Sequence, residues 1–320
     1  MINHTDDLDL AAFAEIIADH FSLEPQWIRF RSCDTGRFNH TYFVDGTPEP
    51  VVLRIAPIDD PSRYLFYEYK MMRQEPDIYE ILGRDTTVPV PEIFLADFSG
   101  TSVKRDFLVM ERLDGFPVSD HPDLTSTKLD DVLRSVGRYL REVHEVTSNK
   151  YGYLREGVMD PMDDWPSAFS IIWNRLLDDI EGCGGYEIDQ TKRLRHLLDE
   201  YTQVFDREVP ASLLHMDVWG QNILADSAGK LTGLIDWDRS LWGDPEIEFA
   251  VLDYCGISEP PFWEGYGQTR DTSTEAKIRK VFYVLYELQK YIFIRSRRGG
   301  SPREIAHYRK QALDLASCLS

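Results

Sequence analysis

The chain has 320 residues, 42% of them hydrophobic and 12% aromatic, which is enough for a sizeable core in one large domain or two lobes and excludes a disordered chain. A formal net charge of −20 argues against nucleic acid and anionic membranes as partners and favours a cationic small molecule. The first residues, MINHTDDLDL, are acidic where a signal peptide is basic, and no apolar run reaches the length of a membrane span. Cys33, Cys183, Cys255 and Cys318 are far apart, so they read as neither a metal pair nor a disulfide framework, and a reducing, cytoplasmic compartment is expected.

In chain order, DLDLAAFAEIIADHF has helical spacing, with Leu10, Phe13, Ile16 and Ile17 on one face. WIRFRSC alternates as a strand. DTGRFNHTYFV is a polar turn entering a second strand, and PVVLRIAP is a third strand bounded by prolines. The stretch from Ser62 to Leu82 reads as one helix, followed by strands in VPVPEIFLADFSG and DFLVMERLDG. After Gly115 helices dominate: Thr127 to Val146, Ala168 to Ile180 and Gln190 to Phe205. A lobe boundary is therefore expected near MERLDGFP, separating residues 1–113 from residues 114–320. Within the helical half, NILAD and KLTGLID flank SAG, a hairpin turn. Asp244 before Pro245 fits a helix N-cap with proline in the first turn, and two more helices, Thr274 to Arg295 and Pro302 to Leu319, end the chain.

The stretch LLHMDVWGQNIL carries His215, Asp217 and Asn222 in the spacing H-x-D-x-x-x-x-N. In phosphoryl transfer an aspartate so placed orients the attacking hydroxyl and receives its proton, while an asparagine oxygen helps hold magnesium. Magnesium needs further oxygen ligands. The hairpin from Ile223 to Ile235 returns Asp236, in GLIDWD, to the end of the strands where Asn222 lies. A lone Asp–Asn pair would be read as turn chemistry; the full series in this order points to catalysis.

The segment LLHMDVWGQNILADSAGKLTGLIDWDRSLWGDPEIEFA resembles the catalytic core of the aminoglycoside phosphotransferase/choline kinase-like family. The resemblance implies an α+β, protein-kinase-like bilobal fold, with a small antiparallel-sheet N-lobe and a larger, mainly helical C-lobe. It implies ATP- and magnesium-dependent phosphorylation of a small-molecule hydroxyl, with Asp217 as base, His215 bracing its loop, and Asn222 and Asp236 as metal ligands. Met216 stands where the family has glycine, Glu248 where it has aspartate, and Trp219 where protein kinases carry lysine.

At the nucleotide end Gly36, Asn39 and Thr41 form the expected phosphate turn. Arg54 stands where the family has lysine and is expected on the α- and β-phosphates, with Glu68 as its helix partner. The segment FLVMERLDGFP resembles the interlobe hinge, with the backbones of Glu111 and Leu113 reading adenine and Val109 and Met110 walling it. At the acceptor end Asp238, Glu246 and Glu287 are the candidate substrate-binding acids, suited to an aminoglycoside or amino sugar. Choline, homoserine or a ketosamine is an alternative acceptor. Two other classes remain: a non-catalytic nucleotide-binding protein keeping the fold, and a protein kinase, against which the absence of an A-P-E-like segment speaks.

Overall fold

Asp9 accepts from the Ala12 amide at 3.3 Å and so starts helix α1 (Leu10–Phe21), whose buried residues Phe13, Ala14, Ile17 and Ala18 form one face. The computed structural model describes residues 8–33 and 38–319. Strands β1 (Arg29–Ser32), β2 (His40–Asp45) and β3 (Val51–Ile55) follow. Alternate residues of a strand face opposite sides. Val51, Leu53 and Ile55 therefore pack against α1, while Val52 and Arg54 face away from it.

The single helix expected over Ser62 to Leu82 does not form. Only α2 (Glu75–Asp85) is α-helical; short 3-10 turns at Pro61–Arg63 and Met71–Gln74 precede it. Two residues explain the break. Lys70 takes a left-handed conformation at φ 59°, and Pro76 fits a helix only in its first turn. Strands β4 (Ile93–Asp97) and β5 (Phe107–Glu111) complete a five-stranded antiparallel sheet of order β1-β2-β3-β5-β4.

Beyond it come the two-residue strand β6 (Phe116–Pro117), the long helix α3 (Ser126–Glu145), and the short strands β7 (Thr147–Ser148) and β8 (Gly152–Tyr153). Helices α4 (Trp165–Gly182) and α5 (Ile188–Tyr201) lead to β9 (Ala211–Leu214), then to the hairpin β10 (Ile223–Ala225) and β11 (Leu231–Leu234). The hairpin turn is held by Asp226, whose Oδ1 accepts from the Ala228 and Lys230 amides, each at 2.9 Å. Strand β12 (Leu241–Gly243) enters α6 (Pro245–Cys255), capped by Asp244 as expected. Helices α7 (Pro260–Tyr266), α8 (Thr274–Arg297) and α9 (Pro302–Ala316) end the fold.

This is the bilobal kinase-like arrangement: an antiparallel sheet with one covering helix, then a helical lobe with short catalytic strands. The helical lobe is centred on buried aromatics, Trp165, Phe169, Trp173, Phe205, Phe282 and Tyr283. Among the described residues no helix is long and apolar enough to cross a membrane.

Helices α3 and α7 cross at a pair of glycines. A Cβ on Gly137 would lie 2.1 Å from the Phe262 carbonyl oxygen, and one on Gly265 would lie 1.8 Å from that of Arg134. Gly137→Ala should therefore cost about 2 kcal/mol despite its better helix propensity, because overpacking outweighs a gain of roughly 1 kcal/mol. Gly83, exposed on α2 with nothing within 4 Å of its Cβ position, is the control. Gly83→Ala should stabilise by about 0.5–1 kcal/mol. Denaturant midpoints of the two variants, moving in opposite directions, check the assignment.

Candidate active site

The site lies where the sheet's inner face meets the loops after β9 and β11. His215, fully buried, braces the first loop. Its Nδ1 accepts from the Asp217 amide at 3.2 Å, which puts the ring proton on Nε2; that atom donates to the Ile235 carbonyl at 3.0 Å. The ring lies 4.2 Å from that of Trp237. His215 thus ties the loop of Asp217 to the loop of Asp236 and does not face the cleft.

Asp217 is held on both oxygens. Arg239 Nη1 donates to Oδ1 at 2.6 Å, and Asn222 Nδ2 donates to Oδ2 at 3.3 Å and to the Asp217 carbonyl at 2.9 Å. Burial pushes the Asp217 carboxyl up, but Arg239, then Lys290, outweigh it and hold it below the usual carboxylate range. The asparagine nitrogen is thereby committed, leaving the oxygen as the atom able to face a metal. The Ile235 amide donates to the Asn222 carbonyl at 3.0 Å, so the hairpin sets Asp236 beside Asn222. Asp236 has φ 71°, a left-handed conformation that turns the chain sharply back toward the sheet.

Arg54 reaches down from β3 to meet these loops. Its guanidinium contacts Glu75 at 2.5 Å, Asp236, and Asp238 at 3.5 Å. The partner on the helix side is therefore Glu75, buried at the start of α2, and not the expected Glu68. Glu68 accepts from the Leu65 amide at 2.8 Å and pairs with Arg298, so it anchors the preceding turn to the end of α8. The break at Lys70 changes the helix phase and is the physical reason for the exchange.

Asp238, expected at the acceptor, is buried instead on the nucleotide side, where it accepts from Asn39 Nδ2 at 3.3 Å. Burial first, then Asp236 and Glu75, raises its carboxyl well above the ordinary value. Gln74 braces the same turn, donating to the Asp238 and Ser240 carbonyls at 2.6 and 3.0 Å. Of the phosphate-turn candidates, Gly36 lies outside the described residues. Asn39 joins the Asp238 cluster, and Thr41 pairs directly opposite Arg54 on β2.

The hinge expectation needs two corrections. Val109 pairs with Leu53 and is buried with it against α1, so it does not wall the cleft; Met110, one residue on, faces the other side together with Val52. The Glu111 amide donates to the Glu92 carbonyl at 2.8 Å within the sheet and is not free to read a base. Leu113, past the strand, lies over Gly233, where a Cβ would be 2.6 Å from its Cδ1. At the acceptor end Glu246 is also displaced. It pairs with Arg279 at 2.7 Å and Arg207 at 3.1 Å, fastening α6 to α8. Glu287 does approach the Asp217 cluster: its carboxylate lies 3.8 Å from Arg239, the partner of Asp217, and Lys290 lies 2.5 Å from its other oxygen.

Arg239, Lys290, Glu75 and Gln74 are the site residues that sequence reasoning missed. Arg239 alone left a local signal, as a cation three residues after Asp236. The two departures from the family pattern meet in space. The Met216 amide, at φ 66°, donates to Glu248 Oε1 at 2.6 Å, and Glu248 Oε2 is 2.8 Å from His144 Nε2. The longer acid thus holds the strained, non-glycine backbone in place from behind.

The donors fit magnesium chemically. Among the described residues no three His, Cys, Asp or Glu form a metal cage. One carboxylate and one amide oxygen make instead the partial hard-oxygen shell that magnesium completes with phosphate and water. Glu75, Asp236 and Asp238 surround this one guanidinium, and burial raises the Glu75 and Asp238 carboxyls.

A bilobal kinase-like fold with an Asp–Asn–Asp site defines a small-molecule kinase. The comparisons agree. The model of the phosphotransferase enzyme family matches residues 30–315, and the chain belongs to that family. A probable ketoamine kinase of Vibrio parahaemolyticus is 23% identical over 290 residues, covering 87% of this chain and 90% of that protein. A crystal structure named "putative fructosamine-3-kinase", from Thermobifida fusca, shares the fold with TM-score 0.68, at 18% identity over 97% of this chain and 98% of that one. A thermostable variant of aminoglycoside phosphotransferase APH(4)-Ia, in complex with ADP and hygromycin B, shares it with TM-score 0.67, at 17% identity over 96% of this chain and 98% of that one.

Two outcomes follow from the geometry. Glu75→Gln should raise the apparent KM for ATP about tenfold or more, because the neutral amide loses the charge-assisted bond to Arg54, whereas Glu68→Gln should leave it within about twofold. Initial-rate kinetics on both variants separates the two acids. Glu248→Asp should lower kcat, since the shorter side chain cannot reach both Met216 and His144. Adding Met216→Gly should partly restore it, with a coupling of about 0.5 kcal/mol or more in the double-mutant cycle.

Proposed function

We propose that the protein transfers the γ-phosphoryl group of ATP, with magnesium, to a hydroxyl of a ketosamine. The observation that carries this reading is Asp217, fixed between Arg239 and Asn222 and set beside Asp236 and Arg54. The choice of acceptor rests on the named ketoamine kinases that match most of the chain. The aminoglycoside expectation rested on an acid-lined cleft, and that support is weaker now. Asp238 and Glu246 are engaged elsewhere, and Glu287 is balanced by Lys290 and Arg239. The non-catalytic alternative rested on arginine replacing lysine. Arg54 keeps an ion pair with a buried helix acid, which argues for a working phosphate contact.

In this reading Asp217 orients the acceptor hydroxyl and takes its proton. The acceptor oxygen forms a bond to the γ-phosphorus as the bond to the bridging oxygen breaks, and ADP leaves with that electron pair. Arg239 fixes Oδ1 so that Oδ2 faces the hydroxyl. Asn222 and Asp236 would hold magnesium, which when bound neutralises phosphate charge. Arg54 steadies the α- and β-phosphates. A cytoplasmic setting agrees with this use of ATP.

A coupled ADP-release assay with magnesium, ATP and ketosamines, beside aminoglycosides and choline, tests the proposal. ADP release with no acceptor in the panel above the ATP-only rate would sink it. Asp217→Asn should reduce turnover on the order of 10²-fold or more while nucleotide binding persists. The pH profile adds a signed outcome. Because Arg239 is the largest influence holding Asp217 low, the acid limb of kcat/KM should lie below the ordinary carboxylate value. Arg239→Met should move that limb toward higher pH.

A further inference from the structure

Beside the turn at Lys70 lies a cavity of about 250 Å³ that touches, of the residues gathered around Asp217 and Arg54, only Asn39. Its two sides belong to different parts of the fold. One side is the segment before the turn, which is fastened to the helical lobe. There the Phe66 amide donates to Asp179 on α4 at 2.7 Å, and Glu68 pairs with Arg298 at the end of α8. The other side is the small lobe, with Ile58 just past β3 and Phe98 and Lys104 between β4 and β5. Lys70 stands where the two sides meet, at φ 59°, a conformation that is costly for a residue with a Cβ. Past it, Arg73 donates to both Asp106 oxygens at 2.6 and 2.9 Å and to the Phe98 carbonyl at 3.1 Å, and Glu75 follows to reach Arg54.

The chain carries a net charge of −20, yet four cations and three acids line this cavity, and the acids are already engaged. Asp106 holds Arg73, the charge of Asp59 also falls on Arg73, and Glu68 is held by Arg298. Lys70 Nζ lies over the Tyr69 ring, 5.0 Å from its centre. Among the described residues neither Lys70 nor Lys104 forms an ion pair. The walls beside these two ammonium groups are apolar or aromatic: Ile58, Tyr64, Met71 and Phe98. Water satisfies an ammonium group but gains nothing from such walls. A ligand with an anionic head and a compact ring uses both. The volume equals the liquid share of about eight waters, which is room for one six-membered ring and a phosphate. A phosphate monoester carries about 1.5 to 2 negative charges at neutral pH, a match for two ammonium groups.

We propose that this cavity is an effector site for a phosphate monoester borne on a single six-membered ring, held by Lys70 and Lys104. Such a ligand ties the Lys70 turn to the loop between β4 and β5. It thereby fixes the phase in which α2 presents Glu75 to Arg54, so effector and nucleotide strengthen each other's binding. The nucleotide half of this inference rests on the phosphotransferase reading above; the ester-binding half stands without it.

Calorimetry on the full chain tests it, with phenyl phosphate and glucose 6-phosphate as the ring esters and inorganic phosphate, phenol and glucose as their parts. The titrations are run with and without saturating magnesium and AMP-PNP, which fills any phosphate contact at Arg54. At least one ester should bind about tenfold or more tighter than either of its parts, and which ester does so separates an aromatic from a sugar ligand. Lys70→Met and Lys104→Met should each weaken that ester about tenfold, as expected for loss of a charge-assisted contact. Lys104 is exposed, so Lys104→Met keeps the test open if Lys70→Met does not fold. The ester should tighten AMP-PNP about fivefold or more, and AMP-PNP should tighten the ester by the same factor. No ester binding, esters no better than inorganic phosphate, binding abolished by AMP-PNP, or binding indifferent to Lys104→Met would overturn the site. Ester binding that leaves AMP-PNP affinity unchanged would overturn the effector role. Mutual tightening in a chain that releases no ADP with any acceptor would support the site and count instead against the kinase reading.

Discussion

Arg54 is the point on which the site depends. One guanidinium on the sheet gathers Glu75 from α2 and Asp236 and Asp238 from the loop after β11. Without it the buried Glu75 and Asp238 and the partly exposed Asp236 would face one another with no guanidinium between them. Breaking a buried pair by removing one member is costly because the other charge stays behind. The strand alternation that sends Leu53 and Ile55 into the α1 core also points Arg54 at the cleft, so packing in the small lobe fixes the position of this cation. Lysine could offer the charge there. The planar fork adds the ability to hold acids from two lobes at once.

The catalytic loop is organised by a different economy. Asp217 touches Arg239 and Asn222 in front, and its loop is held from behind by Glu248 through the Met216 amide. A bulky residue at positive φ costs on the order of 1 kcal/mol, and the Met216 side chain offsets this by being almost wholly buried. Glycine would relieve the strain and lose the packing. The longer acid at position 248 and the methionine at 216 therefore belong to one local solution.

What could be read from the sequence follows the range of the contacts. Asp217, Asn222 and Asp236 were legible because five residues and one hairpin join them, and both distances are local. The β-rich first lobe and most long helices were legible from periodicity. Glu75 was not, since four acids, Glu68, Glu75, Asp77 and Glu80, followed one another on what looked like a single helix, and the left-handed Lys70 shifted the count. Val109 could have been placed by pairing it with Leu53, whose face was already fixed by its neighbours. Lys290 gave no signal, because its partner Glu287, one turn away on α8, meets the catalytic-loop neighbour Arg239 only across the fold. Asp238 and Glu246 show the converse: acids close in sequence to the metal loop were drawn into other ion pairs.

Glu248 also has a mechanical consequence. It sits on α6, which packs against α8, the helix bearing Glu287 and Lys290. The loop of Asp217 and the inner face of α8 are thus mounted on one frame, while Arg54 and Glu75 belong to the other lobe. Asp217 and the inner face of α8 therefore keep their mutual spacing through side-chain contacts within one lobe, whereas their spacing to the other lobe runs through the ion pairs of Arg54.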